Sequence, residues 1–466
     1  MSDGHTTRRW WAAGLVLAAI AIAMRVHNAF AYFLHYGFDA LFNWDYVAIL
    51  IETWVLPDPE LGWSTARPPL FFHLGGLLAR AFGPAPENAV PFIRLVSSAI
   101  GLGAIGVCVQ YAREQSGGDA KRAVLAGALI AFVPAHIYMS AMLNEEILVA
   151  SLTTFALFVH LRATQADTAE SGTRRLYFDI ASGIVAGLAF LTKLTGSLVI
   201  ATIGASRLLR GLRERDWKRA LASVLLVGVV AGCVGGWFYV RSLVKYGYLY
   251  PSDLEAHHLM FSMPPGERTL RDYVYVPLST LTNPRLDDPD LLHSVWGGTY
   301  ATLWSDGQRH FTPNNDPTVD LMGSLVLVLA LLPTLAFFVG IRRGVGRAIQ
   351  DPRAPDVPML ILVVVTFAGY AAYTWATPWF ATIKGSYLLG LALPYSHYTS
   401  EVLCEWTNAN RPFWQYASTR LVLFALLLCV IASFTFGTPL WEMTGGNPLP
   451  GVGWEGAPRP EGYPGK

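Results

Sequence analysis

Long apolar runs constrain the fold of this chain more than any other feature. Runs able to cross about 30 Å of hydrocarbon occur near residues 10–33, 91–111, 122–140, 146–162, 220–242, 319–340, 358–377 and 420–438. Lipid offers no hydrogen bonds to a backbone, so apolar runs of this length are expected to cross as helices. Charge supports this: 14% of the 466 residues are charged, against about a quarter in a soluble domain. An all-α polytopic membrane protein is therefore expected. A formal net charge of +1, with the cations scattered through short loops, gives no reason to expect a nucleic-acid partner.

Three regions are ambiguous. Residues 68–82, "PPLFFHLGGLLARAF", read as an interfacial helix, because counting them as a crossing breaks the positive-inside pattern. Residues 177–206 lie between basic segments and read as two short helices with "LTK" at the tip; residues 384–398 read as a short crossing. The result is about 11 crossings. "RRWWAAGLVLAAIAIAM" continues past Arg25 without a small-residue cleavage site, so it reads as an uncleaved first crossing with the amino terminus in the cytoplasm. Arg8, Arg9, Arg113, Lys121, Arg122, Arg162, Arg342, Arg343 and Arg347 then share the inner face of the cytoplasmic membrane, and the carboxyl terminus lies outside. The chain divides into 1–242, a transmembrane half with a first outer loop at 34–90; 243–318, a large outer loop; 319–438, carboxyl-terminal crossings; and 439–466, a Gly/Pro-rich tail. Cys108, Cys233, Cys404 and Cys429 lack CxxC spacing and read as packing residues, with neither disulfide framework nor zinc site expected.

On this topology Asp39, Asp45, Glu145, Glu146, Lys193, Arg241 and Lys384 approach one membrane face from widely separated positions. Each alone is explained as a helix cap or an interfacial anchor. In "SAMLNEEILV" Asn144 is a good N-cap and acids suit a first turn. Together they call for water, mutual partners or a substrate, since an isolated charge deep in lipid costs about 2.5–3.5 kcal/mol.

Their order is more specific. "GFDALFNWDYVAIL" is followed by "ARPPLFFHL", "RLVSSAIG", "SAMLNEEILV", "AGLAFLTKLTG", "GGWFYVRSLVKYG", "SVWGGTYATLW" and "IKGSYLLGLALP". This succession resembles the GT-C glycosyltransferases that use polyprenyl-phosphate sugars, the group that includes protein O-mannosyltransferases and the aminoarabinose transferase of lipid A. The resemblance implies a GT-C fold and an integral-membrane, inverting transfer of one sugar from a polyprenyl-phosphate donor to a lipid, glycan or protein acceptor at the outer face. It implies Asp39 as catalytic base or acceptor-orienting residue, with Asp45 as runner-up. Asn144 and Glu145 match the family's second acidic motif, which makes Glu145 a second catalytic-site carboxylate that holds the donor sugar or the acceptor, and Glu146 a cap. Lys193, Arg241, Lys384 and Arg67 become candidates for the donor phosphate, and Asn43, Asp45 and Asn144 for acceptor or sugar contacts. The chain departs from the family pattern at Ala40, Asn43 and Ser386, and Arg67 stands where the family has His.

The residue types suit that chemistry. A hydroxyl or amine acceptor loses a proton as it attacks, so a carboxylate within reach is useful. A departing lipid phosphate needs fixed cations more than a proton. No cofactor is required. A cage for a divalent cation from Asp39, Asp45, Glu145 and Glu146 is the weaker alternative, as there is no DxD pair, and His257 and His258 lack ligand spacing. Most tryptophans read as interface belts; Trp296 and Trp304, in the large outer loop, are candidates for sugar stacking. The rival reading is a transporter or flippase of lipid-linked saccharides. Transporters tend to show repeated halves and a polar site near the midplane, whereas these charges gather at one face.

Overall fold

The structure is a computed structural model that describes residues 4–32, 37–166, 172–250, 264–286, 288–309, 311, 317–351, 353–408, 410 and 412–435. The tail at 439–466 and the pair His257 and His258 lie outside the described residues. The described residues form helices with no sheet. The long ones are α1 (Gly4–Ala31), α2 (Ala40–Thr53), α3 (Leu70–Phe82), α4 (Pro86–Gln115), α5 (Ala120–Ala131), α6 (Pro134–Ser140), α7 (Glu146–Ala166), α8 (Gly172–Thr192) and α9 (Ser197–Glu214). They continue with α10 (Trp217–Ala231), α11 (Trp237–Tyr246), α12 (Val295–Trp304), α13 (Pro317–Gln350), α14 (Asp356–Ala376), α15 (Ala392–Trp406) and α16 (Phe413–Thr435).

Among the described residues eight helices are long and apolar enough to cross a membrane, or nine if the bent pair α5 and α6 is one span. The expected eleven requires, in addition, α9 and the 385–406 segment, which do not meet that standard of length and apolarity. The expected straight crossing at 122–140 is instead broken, with α5 and α6 meeting at 56°. Pro134 explains the break: it cannot donate to the helix ladder and disfavours helical backbone in the residue before it. The freed Ala131 carbonyl accepts a hydrogen bond from buried Arg25 at 3.0 Å, and the same guanidinium lies 2.9 Å from His136 Nδ1. At 13 residues, α3 is only about 20 Å long, so it is too short to span. Residues 177–206 form two helices meeting at Lys193, as expected.

Helix exteriors carry Leu15, Leu225, Val229, Leu335, Phe338 and Leu421, all exposed, as lipid-facing surfaces require. Interiors are closed by small residues where backbones approach. A Cβ on Gly340 of α13 would stand 2.6 Å from the Tyr398 carbonyl oxygen of α15. One end of the bundle holds basic residues paired with acids. There Arg347 meets Asp356 at 2.8 and 3.0 Å and Glu401 at 2.9 Å, joining α13, α14 and α15. The other end holds the starts of α2 and α7 and the ends of α8 and α14, where the remaining buried charges meet.

Candidate functional site

The site begins at the end of α1. Its last carbonyls have no helical partner, and Arg94 of α4 donates to Ala29 and Tyr32 at 3.3 and 2.8 Å. Beyond this point the chain turns through Gly37 (φ 120°) and Asp39 (φ 56°), both in the left-handed region. Gly is at ease there and Asp is among the few L residues that tolerate it. Asp39 occupies the N-cap position of α2, yet its side chain makes no capping bond. It forgoes an interaction worth about 0.5–2 kcal/mol and instead meets Arg67 at 2.6 Å.

Arg67 is the hub. Its guanidinium also donates to Asn43 Oδ1 at 3.1 Å and to Glu145 at 3.4 and 3.5 Å. Asn43 is held in turn: its amide donates to the Leu143 carbonyl at 2.7 Å, and its Oδ1 accepts from Ser64 at 2.7 Å. The bland reading of the "NEEI" stretch survives for one residue. Asn144 Oδ1 accepts from the Glu146 amide at 3.1 Å, so Asn144 is the helix cap. Glu145 is free of that task. It lies 3.3 Å from Lys193, whose ammonium also pairs with Glu146 and sits 5.0 Å over the Tyr387 ring.

Lys193 reaches the cluster because the α8–α9 turn is tight. A Cβ on Gly196 would lie 2.2 Å from the Ala189 carbonyl carbon and 2.3 Å from its oxygen. Gly196→Ala is therefore expected to push the turn outward, costing about 1–3 kcal/mol and withdrawing Lys193 from Glu145. Thermal unfolding in detergent, read beside activity, checks this; unchanged stability would mean that the turn relaxes freely.

Lys384 completes the site from the segment after α14. Its Nζ lies 4.1 Å above the Phe38 ring, and among the described residues no carboxylate comes within ion-pair distance. Its amide donates to the Tyr370 hydroxyl at 3.2 Å. The same hydroxyl lies 2.7 Å from that of Thr299, which lines an apolar cavity of about 740 Å³ walled by Trp296, Tyr300, Trp304, Leu331, Phe338 and Leu388 among others. Leu331 and Phe338 are also exposed on the bundle exterior, so the cavity communicates with the lipid-facing surface.

Five of the expected residues thus converge: Asp39, Arg67, Glu145 and Lys193 through ion pairs, and Asn43 through hydrogen bonds. Lys384 stands beside them. Arg241 does not join; it reaches Tyr246, with 5.6 Å to the ring. Asp45 is not a partner of Arg67, because α2 turns about 200° between positions 43 and 45. Trp296 and Trp304 line the apolar cavity instead of flanking the carboxylates, Trp296 with Phe367 and Tyr370 rings at 5.4 and 5.9 Å. Glu146, read as a cap, is a second partner of Lys193. Tyr387 was not anticipated, and an aromatic in "KGSYLLG" next to a cluster-bound Lys was the available signal. Among the described residues no group of three or more His, Cys, Asp or Glu converges as metal ligands would.

The electrostatics follow from this arrangement. Burial would raise the Asp39 carboxyl, but Arg67, Lys384 and Lys193 hold it well below the usual carboxylate range. Burial likewise opposes ionisation of Glu145, and Lys193 and Arg67 more than offset it, leaving that carboxyl lowered. Burial lowers the Lys384 ammonium, with Asp39 offering partial support. A carboxyl lowered in the fold contributes above its unfolded value, near 3.9 for Asp, and its contribution is lost as pH falls through the folded value. Activity is therefore expected to show no acid limb from Asp39 or Glu145 between about pH 5 and 7. Arg67→Gln is expected to move the Asp39 limb upward by on the order of one pH unit or more. A pH–rate profile of both proteins checks this, and coincident profiles would contradict the ion pair's control of Asp39.

A family model described as dolichyl-phosphate-mannose-protein mannosyltransferase matches residues 66–237. That segment contains Arg67, Glu145 and Lys193, and leaves Asp39 and Lys384 outside. No curated protein matches the chain in sequence. Among solved structures, an oligosaccharyltransferase from Archaeoglobus fulgidus, in complex with Zn and sulfate, matches with TM-score 0.54 and 18% identity over 91% of this chain and 53% of its own. The same enzyme tethered to an acceptor peptide with an NVT sequon matches with TM-score 0.55 and 16% identity over 91% of this chain and 55% of its own. ArnT from Cupriavidus metallidurans bound to undecaprenyl phosphate matches with TM-score 0.53 and 16% identity, over 92% of this chain and 77% of its own. The chain thus spans about half the length of the archaeal enzyme. Over nearly all of its own length this protein has the GT-C glycosyltransferase fold.

Proposed function

We propose that this protein is an integral-membrane glycosyltransferase that moves one sugar from a polyprenyl-phosphate carrier to an acceptor at the outer face of the membrane. The observation that carries the reading is the presence of two unlike environments linked through Tyr370: a carboxylate and cation cluster at a helix-end surface, and an apolar cavity open to the lipid side, whose lining residue Thr299 shares the Tyr370 hydroxyl with the Lys384 backbone amide. A lipid-linked anion needs both. ArnT, with undecaprenyl phosphate bound, supports a carrier of this class. The positive-inside distribution favours a cytoplasmic amino terminus.

In this reading the isoprenoid chain occupies the apolar cavity and the phosphate is held by Lys384, with Lys193 within the same field. The acceptor oxygen attacks the anomeric carbon from the side opposite the phosphate. A bond forms between that oxygen and the anomeric carbon as the carbon–phosphate oxygen bond breaks, and the pair of electrons leaves with the carrier phosphate. The acceptor proton passes to Asp39. Asp39 is a weak base because its value is lowered, which suits a late proton transfer to an already bonded, acidified oxygen. Its negative charge also favours an oxocarbenium-like transition state. A single displacement inverts the anomeric centre.

The test is transfer from a panel of radiolabelled polyprenyl-phosphate sugars to membrane extract, using protein purified into nanodiscs. Labelled product formed by the wild type, and lost in Asp39→Asn with folding intact, is the expected result. Donor binding without product from any member of the panel would sink the reading.

A further inference from the structure

At the end of the bundle away from the carboxylate and cation cluster, a second cavity of about 560 Å³ opens among the end of α4, the start of α5, the α13–α14 turn and α15. Its size falls within the range of small-molecule pockets, about 300–1,000 Å³. α14 starts in its wall with Asp356 and, 21 residues long, ends with Ala376 at the cluster's end of the bundle. About 30 Å of helix therefore separates the two places. In the topology proposed above, this cavity is on the cytoplasmic side. His397 and Asp356 are buried in its wall, whereas Gln350 and Asp351 stand exposed at its mouth.

The charges around it are unevenly satisfied. Both Asp356 oxygens accept from Arg347, at 2.8 and 3.0 Å, and Glu401 Oε1 accepts from the same guanidinium at 2.9 Å. Arg347 thus occupies both buried carboxylates of the wall. Asp351 accepts from the Arg353 amide at 2.8 Å, and its exposed charge meets water. Arg122 is less well served. One nitrogen, Nη2, carries all of its side-chain contacts: 3.3 Å to His397 Nδ1, 3.4 Å to the His397 carbonyl and 3.5 Å to Glu401 Oε2. Each is longer than the usual range of about 2.7–3.2 Å. Among the described residues Arg122 Nε and Nη1 have no hydrogen-bond partner, and Nε is sealed from water as well. A guanidinium offers five donors, and donors left idle out of water are costly. The side chains of Gln115 and Gln350, in the same wall, also have no hydrogen-bond partner among the described residues. Arg122 lies in the first turn of α5, the end of a helix that disfavours a cation and favours an anion.

We propose that this cavity binds one phosphate ester, held by Arg122 and by the side-chain amides of Gln115 and Gln350. The planar array of guanidinium donors suits phosphate oxygens. The first turns of α5 and α14 add two positive helix ends, and Arg347 neutralises the two buried carboxylates that would otherwise repel an anion. The volume leaves room for an organic substituent on the phosphate. Two sources present that chemistry at this face: a phospholipid headgroup and a soluble phosphate ester.

The test is native mass spectrometry with equilibrium binding on the full chain in a maltoside detergent, which carries no phosphate. The probes are short-chain phosphatidylglycerol, glycerol 3-phosphate and, as a phosphate-free control, short-chain diacylglycerol. One bound phosphate ester per chain is expected, about 10- to 100-fold weaker in Arg122→Gln. Gln115→Leu/Gln350→Leu leaves every ion pair of the wall in place and is expected to weaken binding about three- to tenfold. Lys218→Gln, which removes an exposed cation at the same end of the bundle, is expected to change nothing. Phosphatidylglycerol bound without glycerol 3-phosphate identifies a headgroup site, and glycerol 3-phosphate bound on its own identifies a soluble ligand. Absence of binding by both esters would overturn the proposal. So would diacylglycerol bound as tightly as phosphatidylglycerol, or binding that Arg122→Gln weakens no more than Lys218→Gln does. If Arg122→Gln unfolds in the detergent, the glutamine double variant decides, and unchanged binding there overturns the site.

Discussion

Replacing Asp39 by Asn is expected to lower the transfer rate by about 10²- to 10⁴-fold, the usual loss on removing a general base, while donor binding stays within about threefold. The substitution preserves volume and leaves a carbonyl oxygen to accept from Arg67, so it removes charge and basicity more than shape. Arg67 keeps Glu145 as an ion-pair partner at 3.4 Å, and its side chain is 19% exposed, so it is not stranded as a buried lone cation. Melting in detergent is therefore expected to move little. Single-turnover transfer with labelled donor, beside equilibrium donor binding, separates the effects. Turnover within threefold of the wild type would make Asp39 an anchor for Arg67 and nothing more.

Much of the fold was legible because hydrocarbon imposes length and apolarity on a helix whatever its neighbours. The gathering of charges at one end was legible for the same reason: in a chain this apolar, each charge at a helix end has to find water or a partner. What sequence could not supply was pairing. From the sequence Arg67 reads as a candidate for the donor phosphate, and only the fold shows it between Asp39 and Glu145. Arg241 lies on a helix that ends at the correct level but turns its guanidinium to Tyr246. Asp45 and Asn43 differ by two positions, and helical rotation alone decides which faces the cluster. The break between α5 and α6 had a visible cause in Pro134, but an apolar run that continues through a proline reads as one crossing until the Arg25 bond to Ala131 is seen. Trp296 and Trp304 were placed in the correct loop, yet their partners come from α14 and the 385–395 segment, far along the chain.

Lys384→Met offers the sharpest contrast between stability and function. A charged group bonded to the carrier phosphate is worth about 1.5–3 kcal/mol, so affinity for the polyprenyl phosphate is expected to fall about 10- to 100-fold. Stability is expected to hold or rise. In the structure the Lys384 ammonium rests on the Phe38 ring at 4.1 Å without a carboxylate in ion-pair range, and burial already disfavours its charge. Methionine keeps the stem and removes the desolvated charge, the situation in which replacement by an apolar side chain is often neutral or stabilising. Glu145→Gln is expected to do the opposite to stability. It takes a carboxylate that is 3% exposed from between Arg67 and Lys193. The cost should fall toward the lower end of about 3–5 kcal/mol, because Glu146 and Asp39 still serve those cations. Thermal unfolding and carrier binding measured on both variants set the two behaviours side by side. A Lys384→Met protein that melts several degrees lower, with carrier binding intact, would show that the lysine holds the fold and that the phosphate is gripped elsewhere. One that melts at or above the wild-type temperature and no longer holds the carrier would mark Lys384 as a charge kept in a costly place for the ligand it meets.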